Sequence, residues 1–145
     1  MMVDTRLRIL DTNTLSYIQR GQDAWVTRLQ SLPSSQRAVA VITMEEQFRG
    51  RLAQIARANQ RSDVSAIVSA YARLAEAVTF FNAVRVLPFA ATNHYFQLKK
   101  TYRRIGVNDL RIAAIALCVN GVLVTTNVAD FRPIQGLEID DWSVS

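Results

Sequence analysis

The chain has 145 residues, half of them hydrophobic and a fifth charged; that is the size and composition of one globular domain, 1–145, and excludes a disordered or fibrous chain. A net charge of +5 with a pI near 10 favours an anionic partner such as nucleic acid, although charge alone equally describes a basic surface with no ligand. The single cysteine, Cys118, excludes an internal disulfide, lies in the apolar run "IAAIALCV" as a small core hydrophobe would, and fits a reducing cytoplasm. The start, "MMVDTRLRILDTN", lacks the apolar run and small-residue cleavage site of a secretory signal. The most apolar stretch, 112–124, is broken by Asn120-Gly121 and falls short of the roughly 20 residues that a membrane span needs, so a soluble chain with no membrane contact is expected.

In chain order, short β-rich runs occur at 7–10, 38–42, 83–87 and 122–126, with a weaker one at 137–140. Helical patterns fall at 14–20, 23–32, 43–60, 63–82, 90–105 and 109–119. Strands separated by helices predict an α/β fold with a mainly parallel sheet, because parallel neighbours need crossover connections. The helix over 63–82 carries Val64, Ile67, Val68, Tyr71, Leu74, Ala75, Val78 and Phe81, a 3.6-residue stripe expected to bury one face. Two long helices between the second and third strands exceed what one crossover requires; they either cover the sheet or offer a dimer or partner surface.

In an open parallel sheet, ligands bind beyond the carboxyl ends of the strands. The acids expected there are Asp11 after the first strand, Glu45 and Glu46 after the second, Asp109 opening a helix in "GVNDLRIAA", and Asp130 with Asn127 after the fourth, in "VTTNVADF". Each has an ordinary structural role open to it. Thr43 and Glu46 have capping-box spacing, Asn108-Asp109 fits an N-cap followed by a first-turn charge, Thr126 or Asn127 could cap a turn, and Asp11 could start an Asx-turn. Gathered at one sheet edge, however, carboxylates repel one another and raise each other's pKa unless a cation compensates. The donors are all oxygen, with no Cys or His cluster, so a hard ion such as Mg²⁺ or Mn²⁺ suits them and zinc does not.

Read together, "LDTNTLSYI", "VITMEEQFRG", "GVNDLRIAAIAL" and "LVTTNVADF" resemble the PIN-domain ribonucleases, and in particular the VapC-type toxins of bacterial toxin-antitoxin pairs. The ordered set covers nearly the whole chain, including "VRVLPF" and the closing "GLEIDDW". The resemblance implies a three-layer α/β/α sandwich around a central, mainly parallel sheet of four to five strands. It puts the catalytic positions on Asp11, Glu46, Asp109 and Asn127, with the metal held by Asp11 and Asp109. Asn127 departs from a four-acid pattern and adds no charge, which leaves one metal or two open; Asp130 is its possible compensation. Glu46 rather than Glu45 fits the register, since Gly50 then falls where such toxins carry glycine, and Gln47 stands where they carry leucine.

The implied chemistry is hydrolysis of RNA phosphodiester bonds with Mg²⁺, or alternatively Mn²⁺, as cofactor. Glu46 would hold or deprotonate the attacking water, and Thr12 or Asn13 would support a carboxylate. RNA contacts are expected from Lys99, Lys100, Arg103 and Arg104, with Tyr102 stacking on a base and Arg49, Arg51, Arg57 and Arg61 following Glu46. The expected partners are the RNA substrate, a small VapB-type antitoxin that masks the site, and a second copy in a homodimer, with larger toxin–antitoxin assemblies open. His94, the only histidine, lies among aromatic residues and is read as packed or surface-exposed. Two rivals remain. An acyl-phosphate phosphatase would use Asp11 as nucleophile but lacks its companion acid, because position 13 is asparagine; a non-catalytic RNA-binding module would keep the basic face without cutting.

Overall fold

The computed structural model describes residues 3–90 and 92–144. Five short strands, β1 (Arg8–Leu10), β2 (Arg37–Ala40), β3 (Arg85–Leu87), β4 (Val122–Val124) and β5 (Glu138–Asp140), form one sheet in the order β3-β2-β1-β4-β5 with every neighbouring pair parallel. The helices are α1 (Thr12–Gln19), α2 (Asp23–Ser31), α3 (Val41–Arg61), α4 (Val64–Ala83), α5 (Thr92–Thr101), α6 (Val107–Cys118) and the single turn α7 (Val128–Phe131).

Strand side chains alternate between faces, and both faces are covered. Ile9, Ala38, Ala40, Leu87 and Leu123 pack against Tyr95 and Leu98 of α5 and the apolar run of α6 from Leu110 to Ala116. Leu10, Val39 and Val124 point the other way, onto Leu15 of α1, Trp25 and Leu29 of α2, and Ala77 and Phe81 of α4. The result is the expected three-layer α/β/α sandwich. Burying a side chain as fully as Ile9, Leu10 or Leu123, each 0 % exposed, contributes about 1.5–3 kcal/mol.

β1 is central. The chain moves from β1 outward through β2 to β3, then returns to the other side of β1 for β4 and β5. Connections therefore diverge at the carboxyl ends of β1 and β4, the crevice where open α/β sheets bind ligands. β4 can lie close to β1 because position 121 is glycine: a Cβ there would stand 2.8 Å from Ile9 Cδ1 and 3.1 Å from the Leu7 carbonyl oxygen.

Several boundaries differ from the sequence expectation. Val41 and Ile42, expected to end the second strand, begin α3, whose N-cap is Ala40 with no side-chain bond. Thr43 therefore sits inside the first turn, buried with its hydroxyl unpartnered, and the capping box with Glu46 does not form. The expected helix 90–105 ends at Thr101, which leaves Arg103 and Arg104 in the turn before α6; its expected second residue, 91, lies outside the described residues. Cys118, expected in the core, is exposed, because α6 ends there and the chain turns through Val119 and Asn120 into β4.

The apolar stripe of α4 divides in two. Ile67, Ala70 and Leu74 pack on Ile55 and Ala58 of α3, while Ala77 and Phe81 reach the sheet; Val64, Val68, Tyr71 and Val78 face outward, 44–73 % exposed. Contrary to the expectation from 112–124, α4 is long and apolar enough to cross a membrane by length and composition, with mean hydropathy 1.3 and 17 % of the window buried. Its docking on α3 and the sheet, with Arg73 and Glu76 in its length, makes it an outer layer of the sandwich with one apolar face uncovered.

Candidate active site

Asp11 is the first residue beyond β1 and the N-cap of α1. Its backbone N–H donates to the Val124 carbonyl at 3.0 Å, which anchors it at the switch point. One carboxylate oxygen accepts the Thr14 N–H at 2.8 Å, and the other accepts the Thr125 hydroxyl. Thr14 in turn donates its hydroxyl to the Val124 carbonyl at 3.1 Å. The side chain is only 5 % exposed. Burial pushes its carboxyl pKa up, against hydrogen bonds from Thr125, Thr14 and the Asn13 backbone that pull it down. The N-cap role thus also fixes a carboxylate at the carboxyl end of β1. With both oxygens engaged and little exposure, it is poorly placed to attack phosphorus, which removes the main support for the phosphatase reading.

Glu46 arrives from the second turn of α3 and accepts the Thr12 hydroxyl at 3.1 Å, tying α3 to the first turn of α1. Glu45 points away, exposed and paired with Arg49 at 2.7 Å. The register that favoured Glu46 therefore agrees with the geometry. Gln47, in place of the expected leucine, is buried yet satisfied: its amide and that of Gln19 exchange reciprocal hydrogen bonds at 3.0 Å.

Asp109 stands in the first turn of α6, whose N-cap is Gly106 rather than Asn108; Asn108 accepts from Arg111 at 3.1 Å. Asp109 is half-buried and accepts no hydrogen bond among the described residues. Burial raises its pKa, and the charges of Asp130, Glu46 and Asp11 raise it further. Three carboxylates from other elements thus act on Asp109. Asn127 donates its amide to Asp130 at 2.9 Å, and its backbone N–H donates to the Thr125 hydroxyl oxygen at 2.9 Å. Thr125 consequently links Asp11 to the Asn127 loop; Asn127 is the N-cap of α7, as one of the two expected candidates, but makes no side-chain cap bond.

The donor set is all oxygen and short of positive partners, which fits a hard divalent cation. Among the described residues no three His, Cys, Asp or Glu side chains are grouped tightly enough to enclose an ion by themselves. Asp11 and Asp109 are the candidates, Asp109 above all, because its oxygens are not committed to protein donors.

Two expected supports change. Asn13 is exposed and its side chain makes no hydrogen bond among the described residues, so it serves Asp11 only through its backbone; Thr14 and Thr125 do the work instead. Thr14 was open to recognition as the third residue after a capping aspartate. Thr125 was not, because its partner is 114 positions away. Tyr102, expected to stack on a base, packs against the core, and its hydroxyl accepts the Gln135 N–H at 3.0 Å, so the fold already holds that ring. Lys99, Lys100, Arg103 and Arg104 are exposed beside the turn into α6, Lys99 lying 5.9 Å from the Tyr95 ring centre. His94 is exposed on α5.

Fold and site together define a parallel α/β protein with an acidic, oxygen-donor centre at its switch point. The chain is 31 % identical over 137 residues to Ribonuclease VapC1 of Haemophilus influenzae (strain R2866), covering 93 % of this chain and 97 % of the relative. A shorter match, 33 % identical over 69 residues, is to Ribonuclease VapC2 of Rickettsia felis, covering 43 % of this chain and 52 % of the relative. Among solved structures, VapBC-1 from nontypeable Haemophilus influenzae superposes with TM-score 0.72 at 28 % identity, over 94 % of this chain and 98 % of that one. DNA-bound VapBC from Salmonella typhimurium superposes with TM-score 0.76 at 26 % identity, over 94 % and 98 %. No protein-family model matches the chain. This chain belongs to the VapC ribonuclease family.

Proposed function

We propose that the chain hydrolyses RNA phosphodiester bonds with Mg²⁺ as cofactor, Mn²⁺ being able to substitute. It acts as the toxin of a toxin–antitoxin pair in the cytoplasm and is held inactive by a VapB-type antitoxin that covers the acids. The observation that carries this reading is the half-buried Asp109, pushed up by burial and by Asp130, Glu46 and Asp11, a charge state that a bound cation relieves.

When bound, the ion supplies positive charge that acidifies water and neutralises the phosphate. Asp11, fixed by Thr14 and Thr125, and Asp109 would hold it. Glu46, oriented by the Thr12 hydroxyl, accepts a proton from the attacking water as its oxygen bonds phosphorus; the bond to the leaving ribose oxygen breaks, and that oxygen takes a proton from solvent. Asn127, its amide engaged by Asp130, keeps its carbonyl oxygen to position water or substrate. Asp11 stands at the carboxyl end of β1, Glu46 on α3 and Asp109 on α6, and on this reading these rigid elements supply orientation as well as charge. The outward residues Val64, Val68, Tyr71 and Val78 of α4 are apolar surface of the kind that a partner chain, antitoxin or second copy, covers.

The test incubates wild type, Asp11→Asn and Asp109→Asn with labelled total RNA in Mg²⁺, Mn²⁺ or EDTA. Cleavage by wild type with either metal, none in EDTA and a loss of at least a hundredfold in both variants (about 2.7 kcal/mol) is expected. Unchanged cleavage by both variants overturns the reading, and binding without cutting under every metal replaces it with a non-catalytic RNA-binding module.

A further inference from the structure

A cleft of about 710 Å³ opens between α1, α3 and α4, and Arg20, Arg51 and Arg73 converge on it above Ala77 and Phe80, with Glu76 as its one acid. Arg73 also lines a second cleft of about 270 Å³ between α3 and α4, together with Arg57 and Arg61 and no acid. The shared arginine joins the two into one basic track along the α3–α4 hairpin. Among the described residues none of these five arginines is in an ion pair. On the walls, Arg51 donates one guanidinium nitrogen to Gln19 Oε1 at 3.3 Å, while its Nε has no partner among the described residues. The near end of the track meets the acids: Ser16 lies one turn beyond Thr12, and Gln47 follows Glu46.

We propose that this track binds the RNA backbone on one side of the scissile bond. Arg20, Arg51 and Arg73 take the phosphates nearest the acids, and Arg57 and Arg61 take those further out. From Gln47 to Arg61, α3 rises about 21 Å, enough to follow several phosphates, and the guanidinium fork matches phosphate oxygens two at a time. Phe80, packed on Phe81 and the core, forms part of the floor of the inner cleft. A protein partner fits the track less well, because the large apolar residues it would bury, Val64, Val68 and Tyr71, lie outside both clefts, whose floors are mostly alanine.

The ligand named here rests on the ribonuclease reading, but the test does not. A fluorescent single-stranded RNA of about twelve nucleotides, long enough for several phosphate contacts, is titrated with the full chain in EDTA, so that binding is read without cleavage. The double variant Arg51→Gln/Arg73→Gln is expected to weaken binding about tenfold and to lower the slope of log affinity against log salt by about 1.4, at 0.7 per phosphate contact. The variant Arg51→Lys/Arg73→Lys keeps most of that slope. Should the glutamine pair fail to fold, Arg57→Gln/Arg61→Gln, on the exposed outer track, carries the same expectation. Wild-type affinity in the glutamine variants overturns the proposal, and so does loss of binding to a glutamate peptide while RNA binding holds, which assigns the track to an acidic protein. A wild type that binds through these arginines yet cuts no RNA sinks the ribonuclease reading alone; one that cuts RNA while the glutamine pairs bind it unchanged sinks the track alone.

Discussion

Asp109 is the residue at which stability and function oppose each other most directly. Its raised carboxyl pKa means that its ionisation opposes folding of the metal-free chain. Its contribution is most favourable below the ordinary carboxylate pKa of 3.8 and is lost as pH rises through the higher folded value. Asp109→Asn is therefore predicted to raise the melting temperature in EDTA at pH 7 by a few degrees while abolishing cleavage; a melt in EDTA that shows no gain contradicts the repulsion. Thr12→Val removes the donor that orients Glu46, and a loss of about tenfold in RNA cleavage with little change in melting is expected. Asn127→Asp adds charge beside Asp130 and should lower the EDTA melting temperature yet raise activity at limiting Mg²⁺, read from the metal dependence of cleavage. Wild-type activity at every Mg²⁺ concentration would place Asn127 outside the metal environment.

At the scale of elements, the packing of β4 on β1 depends on the missing side chain of Gly121. Gly121→Ala forces a methyl against Ile9 and the Leu7 carbonyl and is expected to cost about 1–3 kcal/mol, measured by urea denaturation. Gly50, in the interior of α3, has open space where a Cβ would stand, so Gly50→Ala should stabilise by about 0.5–1 kcal/mol through helix propensity. The alternation of short β runs with helical patterns was enough to foresee a mainly parallel sheet of four to five strands, because crossover geometry leaves few other arrangements. Helix starts were less legible. Thr43 and Glu46 satisfy a local capping rule, but Val41 and Ile42 enter the helix first and leave Ala40 at the cap, so Glu46 is free to meet Thr12. The stripe of α4 read as one buried face, because periodicity reports apolar spacing and cannot say whether a neighbour or a partner covers it.

For the whole molecule, the acids were visible in sequence because each follows a strand or opens a helix. The groups that hold them were not, since the contact between Asp11 and Thr125 exists only once β1 and β4 are neighbours. The same holds for the track of Arg20, Arg51 and Arg73, which three separate helices bring together. Strand order thus turns local motifs into a site: it buries Asp11, sets Asp109 against three other carboxylates, and lays the α3–α4 hairpin beside them. The account stands or falls on whether that cluster holds a cation. Calorimetric titration of Mn²⁺ into wild type and Asp109→Asn at neutral pH tests this most directly. Saturable binding by wild type, weakened at least tenfold (about 1.4 kcal/mol) in the variant, is the predicted result; equal affinity in the two proteins, or no binding to either, would contradict it.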